Sequence, residues 1–318
     1  MSVTGRVDAY QRRRQRLGFP IAVLYKYIDD SGGNLAALLT YYGFLSLFPL
    51  LLLGSTVLGI VLAGDPEAQQ SILNSALSQF PVIGEQLHQP ERLGGGAMGL
   101  LVGGLGALYG GLGGAVALQN AMNTAWTVPK NNRPNPVKAR IRGLLLLATC
   151  GSALLATTIL SALGGGAGAL GAGMRVLVLV ASVTVNAIAF VVAFRLATAR
   201  PLSVRDVAPG AIAAALIWQL LQWFGATYVG HVIKDSSATN GVFALVLGLI
   251  AFMYAASVSV LLCAEINVVR VDRLHPRALL TPLTDNVELT DGDRRAYTRQ
   301  AKAQRNKGFE QIDVHYDR

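Results

Sequence analysis

The residue most able to carry chemistry in this chain is Glu265, the only acidic side chain inside any of its long apolar runs. A carboxylate at membrane depth costs about 2.5 kcal/mol or more at a helix centre and less near the ends, so it asks for a partner or a task. Arg195 and Arg270 close apolar runs at a similar depth. Glu265 can therefore form a structural ion pair with Arg195 or an amide network with Asn267, or it can serve as a proton-coupling or headgroup-binding carboxylate. A second set lies near the N-terminus, where Tyr42, Ser46 and Pro49 stand at i, i+4 and i+7 on one helical face. Such a face either packs on other helices or lines a cavity, since irregular backbone is tolerated at membrane depth where protein buries it or water wets it. Pro49 removes an N–H and should kink its helix near Leu45. Asn120, Asn123, Gln219 and Gln222 complete the polar groups within or beside apolar runs. They suit helix-to-helix hydrogen bonds or a transport path.

Enzymatic chemistry has little to stand on. The chain has no phosphate-binding glycine loop ending in Lys-Ser/Thr, no histidine pair at metal-ligand spacing and no defensible Ser/His/Asp set. His88, His231, His275 and His315 scatter over loops. The expectation is a protein without a catalytic centre, metal or cofactor. Cys150 and Cys263 fall in apolar runs, where a thiol behaves as a small hydrophobe, and no disulfide is expected.

The elements that position these residues are apolar helices. Leu35 to Ala63 runs twenty-nine residues without a charged side chain, and about 20 residues at about 1.5 Å each cross a bilayer. The whole chain is 14% charged with a mean hydropathy of +0.45, against about 25% charged for a soluble domain. The expected fold is all-α, a polytopic membrane protein with a six-transmembrane-helix bundle. The spans are about 35–63, 93–118, 143–163, 174–194, 207–229 and 241–269. Ahead of them, residues 1–34 form an arginine-rich arm whose Phe19–Ile28 segment is too short to span and reads as an interfacial amphipathic helix. Between the first two spans, Ile72 to Phe80 suggests a short surface-lying helix. The polar N-terminus offers no cleavable signal peptide. Residues 270–318 hold ten basic and eight acidic side chains without apolar periodicity, and read as a largely disordered cytoplasmic tail.

In the second span, Gly95, Gly99, Gly103 and then Gly106, Gly110, Gly114 recur four apart, a ridge that lets helix backbones approach closely in lipid. It could equally serve a homo-oligomer. Trp126 beyond it is placed as an interfacial anchor. The connections alternate between basic and neutral or acidic, with Lys130, Arg133, Lys138, Arg140 and Arg142 in one of them. By the positive-inside rule this puts both termini in the cytoplasm. The same alternation accounts for the net charge of +9 without nucleic acid, because the cations border the spans and can pair with anionic lipid headgroups at the cytoplasmic face.

LAALLTYYGFLSLFPLLLL (Leu35 to Leu53) resembles the opening signature of the YihY/BrkB family of bacterial inner-membrane proteins. The likeness continues through ALQNAMNTAW, through GAIAAALIWQLLQWFGATYV from Gly210 and through NGVFALVLGLIAFMYAASVSVLLCAEIN from Asn240, covering about Phe19 to Arg270. Two departures are Asn240-Gly241, where the family usually has Tyr-Gly, and Cys263-Ala264-Glu265, where it usually has Gly-Ala-Glu. The resemblance implies an envelope-associated protein of the bacterial cytoplasmic membrane, some relatives being linked to serum resistance and others to export of lipid A precursors. An older name ties the family to a ribonuclease, which nothing in these residues supports. The Ala-, Gly- and Arg-rich composition points to an actinobacterial source, for which lipid A cannot be the cargo. Two functions stay open: translocation of a lipid or amphiphile through a cavity lined by the first, fifth and sixth spans, or a non-transporting scaffold for envelope integrity.

Overall fold

The computed structural model describes residues 8–61 apart from 9, 13 and 14, residues 96–165, 171–228 and 238–316 apart from 282, 283, 285 and 286. The Ile72–Phe80 segment and Gly95 lie outside these residues. Among the described residues the chain is all-helical. The helices are α1 (Gln15–Asp29), α2 (Gly32–Val61), α3 (Gly96–Ala125), α4 (Pro136–Gly165), α5 (Gly171–Ala197), α6 (Val204–Tyr228), α7 (Ala238–Asp272) and α8 (Asp291–Ala303). Five of them, α3 to α7, are long and apolar enough to cross a membrane. The protein is therefore a multi-pass membrane protein. Helix α2 joins them with 30 residues and no charge, about 45 Å long at 1.5 Å per residue.

Each long helix extends past its expected span at one end or both, because an α-helix continues after the apolar run ends. Consecutive helices pack side by side, and α2 closes the ring against α7. Helix α3 also touches α5 and α7, which gives it a central place. The glycine ridge explains how. A Cβ on Gly106 would stand 2.8 Å from Pro49, and one on Gly110 would stand 2.7 to 2.9 Å from the Cβ, Cα and N of Ser46. One on Gly113 would fall on the Tyr42 ring. With only hydrogen at these positions, α2 and α3 touch backbone to backbone. Gly114 is more relaxed, at 3.6 Å from Tyr42, so the contact line drifts from the strict four-residue repeat. Pro49 is accommodated within one continuous helix whose flank it fills.

Two expectations about the ends are corrected. The tail is folded: Thr290 accepts from the Asp293 N–H, and Asp293 accepts in return from the Thr290 N–H, a capping box that starts α8. Few apolar groups were needed, because charges and caps hold the segment. Trp126 does not present its ring to the surroundings as an anchor would. It is 2% exposed, with the Arg200 guanidinium 5.2 Å above its ring. Non-glycine residues at positive φ close three helices, Ser31 (55°) after α1, Thr127 (49°) after α3 and Arg273 (54°) after α7. After α3 and α7 the returning N–H of Val128 and Leu274 binds the carbonyl five residues back.

Candidate functional site

At the end of the bundle where α1, α7 and the tail meet, the polar side chains form a buried ionic layer. Helix α1 buries Ala22, Val23 and Lys26 and exposes Leu24 and Ile28, so its single apolar-period face carries a lysine inward. Lys26 pairs with Asp30, four residues on, and its Nζ lies 3.8 Å from Glu265 on α7. All three are nearly inaccessible, Glu265 being 3% exposed. At 3.8 Å and an effective dielectric near 20, the Lys26–Glu265 attraction is about 4 kcal/mol before the cost of burying the lysine, of the same order as a membrane carboxylate's cost of about 2.5 to 3.5 kcal/mol. At that distance Lys26 makes no hydrogen bond to Glu265, whose Oε2 is sealed from solvent; the hydrogen-bonding neighbour of the Glu265 carboxyl is the Asp30 carboxyl. Burial disfavours the Lys26 ammonium, but Glu265 and Asp30 outweigh it and hold its pKa above the ordinary value. Burial also raises the Asp30 carboxyl, and the Lys26 charge pulls it back only in part. One cation facing two carboxylates leaves the cluster an excess of one negative charge, which a single proton would cancel.

A second cluster ties the tail to α1. Arg277, 0% exposed, binds Asp29 at 3.0 Å and Asp293 through Nε, with the Tyr297 ring 5.1 Å from its guanidinium carbon. Asp293 also accepts from the Ala278 N–H at 3.0 Å, and Gln300 donates to the Asp29 carbonyl at 2.8 Å. In a third cluster Asp272 at the end of α7 accepts both Arg200 and Arg299.

The ion pair expected between Arg195 and Glu265 does not form. Arg195 is exposed and donates from Nε to the Leu202 carbonyl at 2.9 Å, because the link from α5 to α6 turns back over the end of its own helix. Lys26 takes the place beside Glu265. Asn267 does not reach Glu265 either. It clamps the start of α6, accepting from the Gly210 N–H at 2.8 Å and donating to the Val207 carbonyl at 3.0 Å. Asn123 accepts from the Ala199 N–H at 2.7 Å and so anchors the α5–α6 link to α3. Asn120 is exposed, and Gln219 and Gln222 are half-buried on α6. Tyr42, Ser46 and Pro49 meet the glycine ridge of α3, and Ser46 Oγ donates to the Gly43 carbonyl at 2.9 Å. The sequence-named residues therefore do not converge on one site. Lys26, Asp30, Arg277, Asp293 and Asp272 were missed; Asp30 stands four residues after Lys26 but beyond the expected Phe19–Ile28 helix, so their pairing was not read. Among the described residues, no three His, Cys, Asp or Glu side chains group to hold a metal ion.

Comparison with curated proteins and with solved structures returns no match. The family model described as Virulence factor BrkB matches residues 23–287, from the inward face of α1 through all the long helices to the segment carrying Arg277. The chain, matched over most of its length, belongs to the Virulence factor BrkB family.

Proposed function

We propose that this protein is a six-span protein of the bacterial cytoplasmic membrane, both termini cytoplasmic, that translocates a lipid or amphiphile and uses Glu265 as its titrating group. The observation that carries the reading is the buried Glu265 carboxyl, held against the Asp30 carboxyl beside a lysine already paired with Asp30. A carboxylate kept this way on a spanning helix can take up and release a proton as its lysine neighbour moves between two acids. Helix α2 supplies the sixth span, and the basic connection 130–142 faces the cytoplasm with the tail. The test is a scrambling assay with purified protein in liposomes carrying fluorescent anionic phospholipid and a membrane-impermeant quencher. Protein-dependent loss of the protected fraction that Glu265→Gln abolishes, with the variant folded, is the expected result. Activity equal in wild type and variant would remove Glu265 from the mechanism.

A specific observation favours a second reading, a non-transporting scaffold for the envelope. The Tyr42, Ser46 and Pro49 face is filled by α3 rather than open, and Asn123 and Asn267 are spent on backbone clamps. A scaffold predicts no protein-dependent scrambling and, for Glu265→Gln, at most a change in stability.

A further inference from the structure

The basic residues between α3, α4 and the α5–α6 link surround a groove that no carboxylate lines. Its largest part is a cavity of about 690 Å³ to which Arg142 of α4, Arg195 of α5 and Arg200 of the link contribute. A neighbouring cavity of about 300 Å³ adds Arg133 and Lys138 and shares Arg142. A third, of about 310 Å³, adds Arg299 and Lys302 and shares Arg200. All three meet at Ala199, whose small side chain leaves them adjacent.

Arg142 is the decisive residue. It is half-buried, has no hydrogen bond or ion pair among the described residues, and lines two of the three cavities. A half-buried guanidinium that faces a cavity with no carboxylate or carbonyl to accept from it is suited to an anionic acceptor from outside the chain. Arg195 spends only Nε, on the Leu202 carbonyl, which leaves both its Nη groups free. Arg200 is paired with Asp272, but that carboxylate also serves Arg299, so one positive charge there stays uncompensated. Arg133 is half-buried and donates to the Val128 carbonyl and to Thr124 Oγ1, with no acid beside it, and partial burial lowers its pKa.

We infer that this groove binds a phosphate group, either the headgroup of an anionic phospholipid or a soluble phosphate. Planar guanidinium forks match phosphate oxygens two at a time, and the cavity is of small-ligand size. The surroundings favour a lipid, because Ile141, Leu144 and Leu145 beside Arg142 are exposed apolar side chains on a spanning helix, along which acyl chains can lie. The inference rests on the translocation reading only for its purpose, since it names the substrate class, while binding itself does not require Glu265.

The experiment measures retention of fluorescent phosphatidylglycerol by the purified full-length protein in neutral detergent, against a phosphatidylcholine probe. The variants are Arg142→Gln, Arg195→Gln, the charge-keeping Arg142→Lys, and Arg140→Gln as an exposed control outside the groove. Elution profile and thermal unfolding report folding. Loss of one charge-assisted contact predicts weaker binding by about tenfold or more in Arg142→Gln, with Arg142→Lys intermediate and Arg140→Gln unchanged. Displacement of the probe by inorganic phosphate assigns the groove to soluble phosphate; persistence of the probe assigns it to the lipid. Glu265→Gln should retain the probe, so lost scrambling with intact binding sinks neither groove nor lipid class. Equal losses in Arg140→Gln and Arg142→Gln, or no loss in either folded variant, would overturn the inference.

Discussion

Replacing Arg277 with leucine removes the cation that pairs with both Asp29 and Asp293 and leaves the fully buried Asp293 carboxylate without a countercharge. Removing one partner of a buried pair costs about 3 to 5 kcal/mol. The lower half of that range applies here for two reasons. Asp293 keeps the Ala278 N–H, the Thr290 N–H and the Thr290 hydroxyl as donors, and Asp29, 14% exposed at its side chain, can regain water. Those same donors hold the α8 cap, so the loss falls on the docking of the tail against α1 rather than on helix α8. About 3 to 4 kcal/mol is roughly a 10²- to 10³-fold rise in the open population. Limited trypsin digestion in detergent reads this directly, with Arg294, Arg295 and Arg299 as cleavage points, since slow cleavage tracks the opening equilibrium. Adding Asp293→Asn to Arg277→Leu should recover part of the loss by removing the stranded charge. A single-variant cleavage rate within about threefold of wild type would refute the reasoning, because RT ln 3 is below 1 kcal/mol.

Two further outcomes follow from packing and protonation. Gly110→Ala should destabilise by about 1 to 3 kcal/mol, since its Cβ meets Ser46 backbone atoms that cannot yield, whereas Gly104→Ala, with nothing within 4 Å, should gain about 0.5 to 1 kcal/mol. Thermal unfolding of both in one detergent decides, and equal shifts would contradict the α2–α3 contact. Asp30 has its pKa raised above 3.8, so it holds its proton more tightly folded than unfolded. Its contribution is full in acid and falls as pH rises from 3.8 through the raised value. Asp30→Asn should flatten that decline in unfolding temperature, and an unchanged profile would count against the buried cluster.

The long helices were legible because hydropathy alone specifies them, and the glycine repeat announced a close contact without naming its partner. The face at Tyr42, Ser46 and Pro49 was legible too, as one that packs on other helices or lines a cavity, and the fold decides for packing by setting it against Gly106, Gly110 and Gly113. Lys26 escaped notice because a lysine on an amphipathic helix is ordinarily its wet face, and here the neighbouring α7 presents Glu265 to it. The tail was hidden by its charge. Helix α8 has few apolar side chains, and its signal was Thr290 three residues before Asp293, a cap rather than a period. Arg195 could not be resolved from sequence, since its partner is a backbone carbonyl set by the path of a link.

The salt bridge from Arg277 to Asp29 joins residues 248 apart, and Gln300 reaches the Asp29 carbonyl across 271. During biosynthesis α1 therefore emerges long before the groups that complete its charged face. At about 5 to 20 residues per second the interval is on the order of ten to fifty seconds, during which Asp29 must stay hydrated or be held by another protein. The contact therefore forms late in synthesis, when the segment carrying Arg277 and Gln300 has left the ribosome and latches onto α1. A nascent chain stalled before residue 277 would carry α1 to α7 and still lack that latch.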